Sequence, residues 1–177
     1  KEQRYKDGNK VGKWTFYNEK GKNEGKWITY YNNGTIKEEE NFINGKENGK
    51  WTTYYENGQV EKEENYKDGK KIGLWAYYNK EGNKDGKWIW YSENGQIEKE
   101  GHFINEKEDG IWIWYYENRQ IKKEANFQDG NRDGKWTIYY EDGQIKGEEN
   151  YKEQKLEGRM ASYYENGQVR TIRNFKV

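Results

Sequence analysis

The stretch GKWTTYYENGQVEKEENYKDGKKIGLW, residues 49–75, contains one complete unit of a pattern that the chain repeats. It begins and ends on a Trp that follows a Gly by two positions. Residues 51–55 (WTTYY) are rich in the aromatic and β-branched side chains typical of strands. Asn57-Gly58 favours a two-residue type I′ turn, and residues 59–66 then form the return strand. Because Asp68-Gly69 turns the chain again toward the next Trp, each unit is predicted to be a β-hairpin.

A two-residue turn fixes which residues lie opposite each other in this hairpin. The predicted pairs are Tyr55 with Val60, Thr53 with Lys62, Trp51 with Glu64, and Gly49 with Tyr66. Side chains alternate between the two faces of a sheet, so Trp51, Tyr55 and Tyr66 share a face with Val60. We expect this face to be packed, with Gly49 leaving room for the ring of Tyr66. The opposite face is predicted to be polar, and it carries Thr52, Tyr54, Glu61, Glu63 and Asn65.

The same frame recurs along the whole chain. Its anchors are Trp14, Trp27, Trp51, Trp75, Trp88, Trp112, Trp136 and, in the same position, Met160. Each follows a glycine by two positions, and these are Gly12, Gly25, Gly49, Gly73, Gly86, Gly110, Gly134 and Gly158. The intervals of 13, 24, 24, 13, 24, 24 and 24 residues describe a duplicated short-long-long block. Since a single hairpin is marginal in water, the units must stack, and residues 1–177 are predicted to form a single all-β domain.

The predicted architecture is an elongated, twisted, open array of antiparallel hairpins in eight Trp-anchored units. The two short units, from Trp14 to Trp27 and from Trp75 to Trp88, lack most of the return strand. They predict either a bend in the array or a longer loop between neighbouring strands. The chain opens at Lys1 in the middle of the pattern, which indicates a fragment or a processed form.

Composition narrows the function classes. Lys plus Arg and Asp plus Glu both number 32, and this balance argues against nucleic acid as the main partner. There is no Cys, so thiol chemistry and Cys-based metal sites are excluded. No apolar stretch approaches membrane length, and no signal peptide precedes the pattern, which leaves the cytoplasm and the cell surface both open as compartments. Aromatic residues make up 18% of the chain, which predicts an aromatic core.

The frame resembles the bacterial variant of the MORN repeat. The residues that carry the resemblance are GKWTTYYENGQVEKEENYKDGK, with a G-x-W-x-x-Y-Y-x-x-G frame followed by Y-K-D-G-K. The resemblance covers nearly the whole chain and implies an array of β-hairpins that serves in protein–protein contact or scaffolding. Some bacterial members are grouped as antitoxin-like proteins of the YwqK type. Eukaryotic members are linked to membrane and cytoskeletal attachment.

Residues able to carry chemistry are few. His102 is the single histidine and occupies a position that holds Asn in the other units, so we interpret it as a drifted strand residue rather than a catalytic group or a metal ligand. A glutamate recurs five residues after the turn position, as Glu39, Glu63, Glu100, Glu124 and Glu148. A catalytic carboxylate pair needs two different environments, whereas these are equivalent, so each is expected to meet a Tyr hydroxyl or a Lys on an adjacent strand. No enzymatic activity, cofactor or metal is predicted.

Two hypotheses about function remain. The first is a protein-interaction or scaffold repeat, of the antitoxin or immunity kind in its sharpest form, and the second is an aromatic-lined binder of choline or glycans at a cell surface. The position two residues after the anchor Trp holds its largest side chains in three middle units, as Tyr77, Trp90 and Trp114. These residues are predicted to be either additional core or a contact site. Candidate binding residues are therefore Tyr77, Trp90, Trp114, Glu63, Glu100 and Glu124.

Charged positions that vary between units favour the first hypothesis. One such position holds Glu38, Lys62, Lys99, Lys123, Gly147 and Thr171, and another holds Lys37, Glu61, Glu98, Lys122, Lys146 and Arg170. Variable charge on a repeated scaffold favours recognition of a protein partner through the polar face and the edges of the array. The strands near Lys1–Tyr5 and Arg173–Val177 are expected to form the two ends, where an open edge favours self-association.

Overall fold

A computed structural model describes residues 2–6 and 8–176, and these form β-strands joined by turns, with no helix among them. The strands are β1 (Glu2–Lys6), β2 (Asn9–Thr15), β3 (Gly25–Tyr30), β4 (Ile36–Ile43), β5 (Lys46–Glu47), β6 (Gly49–Tyr54), β7 (Val60–Lys67), β8 (Lys70–Lys71), β9 (Gly73–Tyr77), β10 (Gly86–Tyr91), β11 (Ile97–Ile104), β12 (Lys107–Tyr115), β13 (Ile121–Gln128), β14 (Asn131–Tyr139), β15 (Ile145–Lys152), β16 (Lys155–Leu156), β17 (Gly158–Tyr163) and β18 (Val169–Phe175). The predicted all-β array of antiparallel hairpins is confirmed. The predicted terminal residues Lys1 and Val177 lie outside the described part.

The chain divides into two compact units. The first runs to Gly86 and includes Tyr91–Gly95, and the second comprises Lys87–Trp90 and the chain from Gln96 onward. In the first unit β1, β2, β3, β4, β6, β7 and β9 pair antiparallel in chain order, and the two-residue strands β5 and β8 pair with β4 and β7. In the second unit β11 to β15, β17 and β18 pair in the same way, with β16 beside β15. The sheet of each unit is open, since the strands simply follow one another.

The Asn-Gly loops contain three residues rather than the two that the sequence predicted. The amide of Tyr55 donates to the carbonyl of Gln59 (2.9 Å), and the amide of Gly58 donates to the carbonyl of Tyr55 (2.9 Å). Gly58 has φ 85°, whereas Asn57 is not in the left-handed region. This is a type I turn followed by a left-handed residue, and the Asn57 Oδ1 accepts the Gln59 amide (3.0 Å). The type I′ assignment at Asn57-Gly58 was therefore wrong.

The extra loop residue is absorbed by a bulge, so most of the predicted register survives. Trp51 lies opposite Glu64, and Gly49 opposite Tyr66, as expected. The predicted pairing of Tyr55 with Val60 is wrong, because Tyr54 takes that place and the register shifts beside it.

Two-residue type I′ turns do occur, but they join the return strand of one unit to the start of the next unit. Asp68 (φ 52°) and Gly69 (φ 81°) join Lys67 to Lys70 directly. Asn44-Gly45, Asn105-Glu106, Asp129-Gly130 and Glu153-Gln154 have the same pair of positive φ values. The last of these places two non-glycine residues in the left-handed region.

The glycine two positions before each Trp is required by the backbone. Gly49 has φ +86°, and all its equivalents also have positive φ. A Cβ at Gly49 would have the Asn41 side chain as its neighbour, at 3.7 Å. The prediction that Gly49 makes room for the ring of Tyr66 was wrong, since the left-handed conformation itself selects glycine.

The short units are resolved as loops between directly paired Trp strands. In the first, Trp14 on β2 lies opposite Ile28 on β3, and a bridge between Tyr17 and Asn23 closes the loop. The Asn18 side chain accepts the amides of Lys20 and Lys22 within that loop, both at 3.0 Å. A bridge between Tyr78 and Lys84 closes the corresponding loop of the second short unit. Of the two alternatives left open by the sequence, the loop is thus observed.

An aromatic row forms the core of each unit. In the first, neighbouring ring centroids lie 4.9 to 5.4 Å apart along Trp27, Phe42, Trp51, Tyr66, Trp75 and Tyr91. In the second they lie 5.0 to 6.2 Å apart along Trp88, Phe103, Trp112, Phe127, Trp136 and Tyr151. We call the side that carries these rings the tryptophan face. The opposite side, which carries Glu63 and its equivalents and is called here the glutamate face, also has buried residues, namely Thr52, Ala76, Thr137 and Ala161. The prediction of a single packed face was therefore incomplete.

Candidate functional site

The recurring glutamates of the glutamate face are held between a lysine and a tyrosine of neighbouring strands. Glu100 accepts from the hydroxyl of Tyr115 (2.7 Å) and pairs with the Nζ of Lys87 (2.7 Å). The equivalent sets are Lys26, Glu39 and Tyr54, and Lys135, Glu148 and Tyr163, while Glu63 pairs with Lys50. The expected partners of this series are confirmed.

The charge state of these sets is that of a structural link. Burial raises the pKa of Glu100, but the hydrogen bonds from Lys87 and Tyr115 outweigh it and leave that pKa below the ordinary value. For Glu148 the hydrogen bond from Lys135 is the main cause of a lowered pKa. Burial and the bond to Glu100 raise the pKa of Tyr115 to about 12. At neutral pH Glu100 and Glu148 therefore stay ionised and Tyr115 stays protonated, so neither carboxylate is set up as an acid beside a base.

Glu124 departs from this pattern. It accepts from the Tyr139 hydroxyl (2.9 Å), but the position of the lysine is taken by Ile111, whose side chain is exposed. The substitution opens a shallow recess of about 300 Å³ that Ile111, Glu124, Ala125, Asn126, Lys135 and Thr137 line. Of the three candidate glutamates, Glu63 and Glu100 are thus ion-paired, and Glu124 has no cation partner among the described residues.

Other recurring polar groups bond to the backbone. The hydroxyl of the second Tyr in a unit donates to a carbonyl of the next unit, as Tyr116 does to Tyr139 (2.8 Å) and Tyr140 to Tyr163 (2.8 Å). The indole Nε1 of Trp136 donates to the Asn126 carbonyl (3.0 Å). The repeated frame therefore uses its own polar side chains to fix one unit against the next.

His102 lies on β11 opposite Asp109, with an exposed side chain. Within residues 2–6 and 8–176 there is no cluster of three or more His, Cys, Asp or Glu side chains able to hold a metal ion. In the same part of the chain no helix is long and apolar enough to span a membrane.

The tryptophan face of the second unit has an added set of rings. The rings of Trp90 and Trp114 both neighbour that of Trp112, with centroid distances of 5.8 and 6.2 Å, and Trp112 is 1% exposed. The ammonium group of Lys99 lies over all three rings, at 4.7 Å from Trp90, 4.4 Å from Trp112 and 5.2 Å from Trp114. Lys123 lies over Trp114 (4.7 Å) and Trp136 (4.0 Å). We call Trp90, Trp114, Lys99 and Lys123 the Trp–Lys patch.

The structure brings only two of the three candidate aromatic residues into this patch. Trp90 and Trp114 belong to the second unit, whereas Tyr77 belongs to the first, where the Lys62 ammonium lies 5.7 Å from its ring centroid. Lys62, Lys99 and Lys123, which share one of the variable charged positions of the sequence, each lie over rings of the tryptophan face.

Comparison with protein families gives a direct match. The family model described as the MORN repeat variant matches six segments, residues 23–44, 47–68, 84–105, 108–129, 132–153 and 156–176. The chain belongs to the MORN repeat variant family. Each matched segment contains one Gly-x-Trp or Gly-x-Met anchor, one loop and one return strand. A comparison with curated proteins gave no match.

Membership of this family sets the general role. MORN repeats are a non-catalytic repeat type that is generally associated with binding and scaffolding. The matched segments leave out residues 69–83, which contain Trp75 and the start of the second short loop.

Sequence reasoning missed the partners of the patch lysines. The sequence nevertheless shows that a carboxylate is missing two residues after each patch lysine. This position holds Glu40, Glu64 and Glu149 in three repeats, but Gly101 and Ala125 in the two central ones. That change coincides with the appearance of Trp90 and Trp114, so a comparison of paired positions would have found it.

Proposed function

We propose that this chain is a non-enzymatic protein-binding repeat, which uses its MORN frame as a scaffold and the differences between repeats to recognise a partner. The observation that carries the proposal is that recurrent polar groups are engaged within the frame. Glu100 and Glu148 are held by lysine and tyrosine, and Tyr116 and Tyr140 bond to the next unit. The side chains that differ between repeats are then available to contact a partner.

The variable charges are arranged for recognition rather than for chemistry. The Nζ of Lys122 lies 5.5 Å from the ring centroid of Tyr116, and the Nζ of Lys146 lies 5.3 Å from the ring centroid of Tyr140. Glu61 and Glu98 take the same position in other repeats, so the sign of the charge changes along a constant scaffold. Complementary charge sets specificity and association rate, and salt screens it.

The test is capture of a partner by the full chain. The tagged protein is incubated with extract of the organism that encodes it, washed at about 0.1 M salt, and the bound fraction is identified by mass spectrometry. We expect one protein in stoichiometric amount that is released at about 1 M salt. Absence of any stoichiometric protein, with glycan retained instead, would contradict the proposal.

The sharper form of this proposal is an antitoxin-like or immunity-like role. It is supported by the likeness of the frame to bacterial repeats of the YwqK type. In that case expression of the captured partner alone should arrest growth, and expression together with this chain should relieve the arrest. A captured partner whose expression is harmless would contradict this form while the general proposal stands.

A second candidate function is binding of a glycan or of choline on exposed aromatic rings. The half-buried rings of Trp90 and Trp114 favour it, since sugars stack on such surfaces. Choline is disfavoured, because the Lys99 ammonium already lies over both rings and would repel a second cation. Isothermal titration with choline and cell-wall oligosaccharides is expected to show no saturable heat. Saturable binding that is lost in Trp90→Ala or Trp114→Ala would favour the second function.

A further inference from the structure

Two lysines of the Trp–Lys patch have lost the carboxylate that accompanies their equivalent in the first unit. There Lys62 pairs with Glu64 (2.6 Å), two residues later on the same strand. The corresponding positions after Lys99 and Lys123 are Gly101 and Ala125. Within the described residues, neither Lys99 nor Lys123 forms an ion pair.

The ring of Trp112 explains the loss at Gly101. A Cβ at Gly101 would lie 2.1 Å from a ring atom of Trp112, so no side chain fits under this indole. The buried Trp112 ring therefore takes the space of a glutamate and packs against both Trp90 and Trp114. The absence of a carboxylate at position 101 and the presence of the Trp90 and Trp114 rings therefore occur together.

The two ammonium groups converge on one ring. They lie 5.2 Å (Lys99) and 4.7 Å (Lys123) from the Trp114 centroid. Burial lowers the pKa of each, and the charges of Glu108 near Lys99 and of Glu149 near Lys123 partly oppose that shift. Glu149 already accepts the Tyr151 hydroxyl (2.7 Å), so it is engaged elsewhere.

We propose that the Trp–Lys patch is a docking site for an acidic segment of a partner protein. Two carboxylates of the segment meet Lys99 and Lys123, and its apolar side chains cover Trp90 and Trp114. The inference rests on the proposed function and names the chemistry of the partner.

A polypeptide fits this site better than a polyanion does. Lys99 on β11 and Lys123 on β13 are separated by one strand, so their Cα atoms are about 10 Å apart. Two side chains of one extended segment can span this distance. Arg132 adds a third cation beside Lys123, but Glu108 and Glu149 also stand beside the lysines. They would repel the dense negative charge of nucleic acid or an anionic membrane, which needs many cations together.

The experiment measures binding of a fluorescein-labelled peptide with a Glu-Glu-Leu-Leu repeat, which presents both Glu and Leu on each face when extended, to the full chain by fluorescence anisotropy at low salt. We expect saturable binding that becomes at least about tenfold weaker in the Lys99→Gln/Lys123→Gln variant. The matched control is Lys107→Gln/Lys155→Gln, which removes the same charge from two exposed lysines of the second unit outside the Trp–Lys patch, and which should bind as wild type does.

A second variant tests the missing carboxylate itself. Ala125→Glu places a glutamate where three other repeats have one, next to Lys123, and should weaken peptide binding while both lysines remain. Thermal unfolding of each variant shows whether the fold is retained. Should Ala125→Glu fail to fold, the lysine variant alone decides the question.

Three outcomes would overturn the inference. One is no peptide binding by the wild-type chain at millimolar concentration, and another is equal binding by the lysine variant. The third is that phosphatidylserine vesicles or single-stranded DNA bind through the same lysines at least about tenfold more tightly than the peptide, which would replace a protein partner with a polyanion. If a captured partner binds the lysine variant normally, this inference fails while the proposed function stands; if no partner is captured, the proposed function fails.

Discussion

At the scale of single residues, the loop closing each hairpin sets the backbone conformation of a residue whatever its side chain. Arg119 has φ 69° in the loop position where Gly58 has φ 85°. Its amide donates to the Tyr116 carbonyl (2.9 Å), as the amide of Gly58 does to Tyr55. The replacement of a turn glycine by Arg119 predicts a turn that is strained or differently shaped, and the left-handed backbone of Arg119 is the strained alternative. The loop therefore imposes its geometry on a side chain that disfavours it.

Replacement of Arg119 by Gly is predicted to be neutral or stabilising by up to about 1 kcal/mol. The gain is the removed left-handed strain, offset by loss of the contact between the Arg119 Nε and the Gln96 side-chain amide, whose oxygen accepts this N–H at 3.2 Å once the amide is turned by 180°. The matched control is Gly58→Arg, which should destabilise by about 1 kcal/mol because its Cβ meets nothing within 4 Å and only the backbone strain changes. Urea unfolding measures both. A clear fall in stability for Arg119→Gly would show that the arginine contact outweighs the strain.

Replacement of Ile111 by Lys is predicted to stabilise the fold by about 0.2–1 kcal/mol. The ammonium group would occupy the recess beside Glu124 and complete the lysine–glutamate–tyrosine set that the other units have. The reverse control, Lys87→Ile, removes the partner of Glu100 at 2.7 Å and should cost a similar amount. Urea unfolding measures both variants. An Ile111→Lys variant no more stable than the wild-type chain would mean that the lysine does not reach the carboxylate.

At the scale of the hairpin, stability depends on links between neighbouring strands rather than on any one strand. The carboxylates of Glu100 and Glu148 join three strands each, because lysine and tyrosine approach them from opposite sides. The second tyrosines add a bond from each unit to the next. Both kinds of link lie within a cooperative sheet, so removing one should weaken the whole unit.

Acid should weaken these links. The pKa values of Glu100 and Glu148 are lower in the folded protein than the ordinary value of about 4.3, so their stabilising effect is fully present above that pH. It is lost as the pH falls through the folded pKa values. Urea unfolding from pH 7 to pH 3 should show this loss. The Glu100→Gln/Glu148→Gln variant should be less stable at pH 7 and should lose less stability in acid; equal acid slopes would contradict the assignment.

Loss of the second tyrosine hydroxyl should cost about 0.5–1.5 kcal/mol for each site. Tyr116→Phe and Tyr140→Phe remove donors to the carbonyls of Tyr139 and Tyr163. Tyr164→Phe is the control, since no hydrogen bond of the Tyr164 hydroxyl occurs among residues 2–6 and 8–176. Guanidinium unfolding measures the three variants. Equal losses in all three would mean that the hydroxyl bond is not the cause.

The hairpins were predictable because their signals are local. Strand composition over residues 51–55 and the turn dipeptides placed every long hairpin, and the paired register away from the loop followed. The loop length was missed because Asn-Gly suits both two- and three-residue loops, and only the bond from the Tyr55 amide to the Gln59 carbonyl distinguishes them. The unpaired Lys99 was missed because it depends on the Trp112 ring lying over Gly101, which is a contact between strands.

At the scale of the whole molecule, the last repeat covers the strand before it. Strand β17 pairs with β15 through Gly147 with Ser162 and Glu148 with Ala161, and β18 completes the final hairpin. The position of the recurrent glutamate is Ile172 here, and the Trp position is Met160, as a terminal unit permits. Removing this unit would leave the hydrogen-bonding edge of β15 open.

Deletion of residues 158–177 is predicted to increase self-association, because an open strand edge pairs with another chain. Size-exclusion chromatography with light scattering should show a smaller monomer fraction than in the full chain. Gly147→Lys in the truncated chain is the control, since a charge on the open strand should restore monomer. A truncated chain that stays as monomeric as the full chain would contradict a capping role.

The tyrosine bonds between units restrict how this chain can change its length during evolution. Tyr116 and Tyr140 each reach a carbonyl 23 residues ahead, and the long units repeat every 24 residues. Deletion of the 24 residues 117–140 would place the carbonyl of Tyr163 23 residues after Tyr116, the position that Tyr139 now holds. A gene that gains or loses whole units therefore keeps every such bond, whereas a gain or loss of any other size breaks one. The 61-residue duplication from Trp14 to Trp75 obeys the same rule, because it copies complete units.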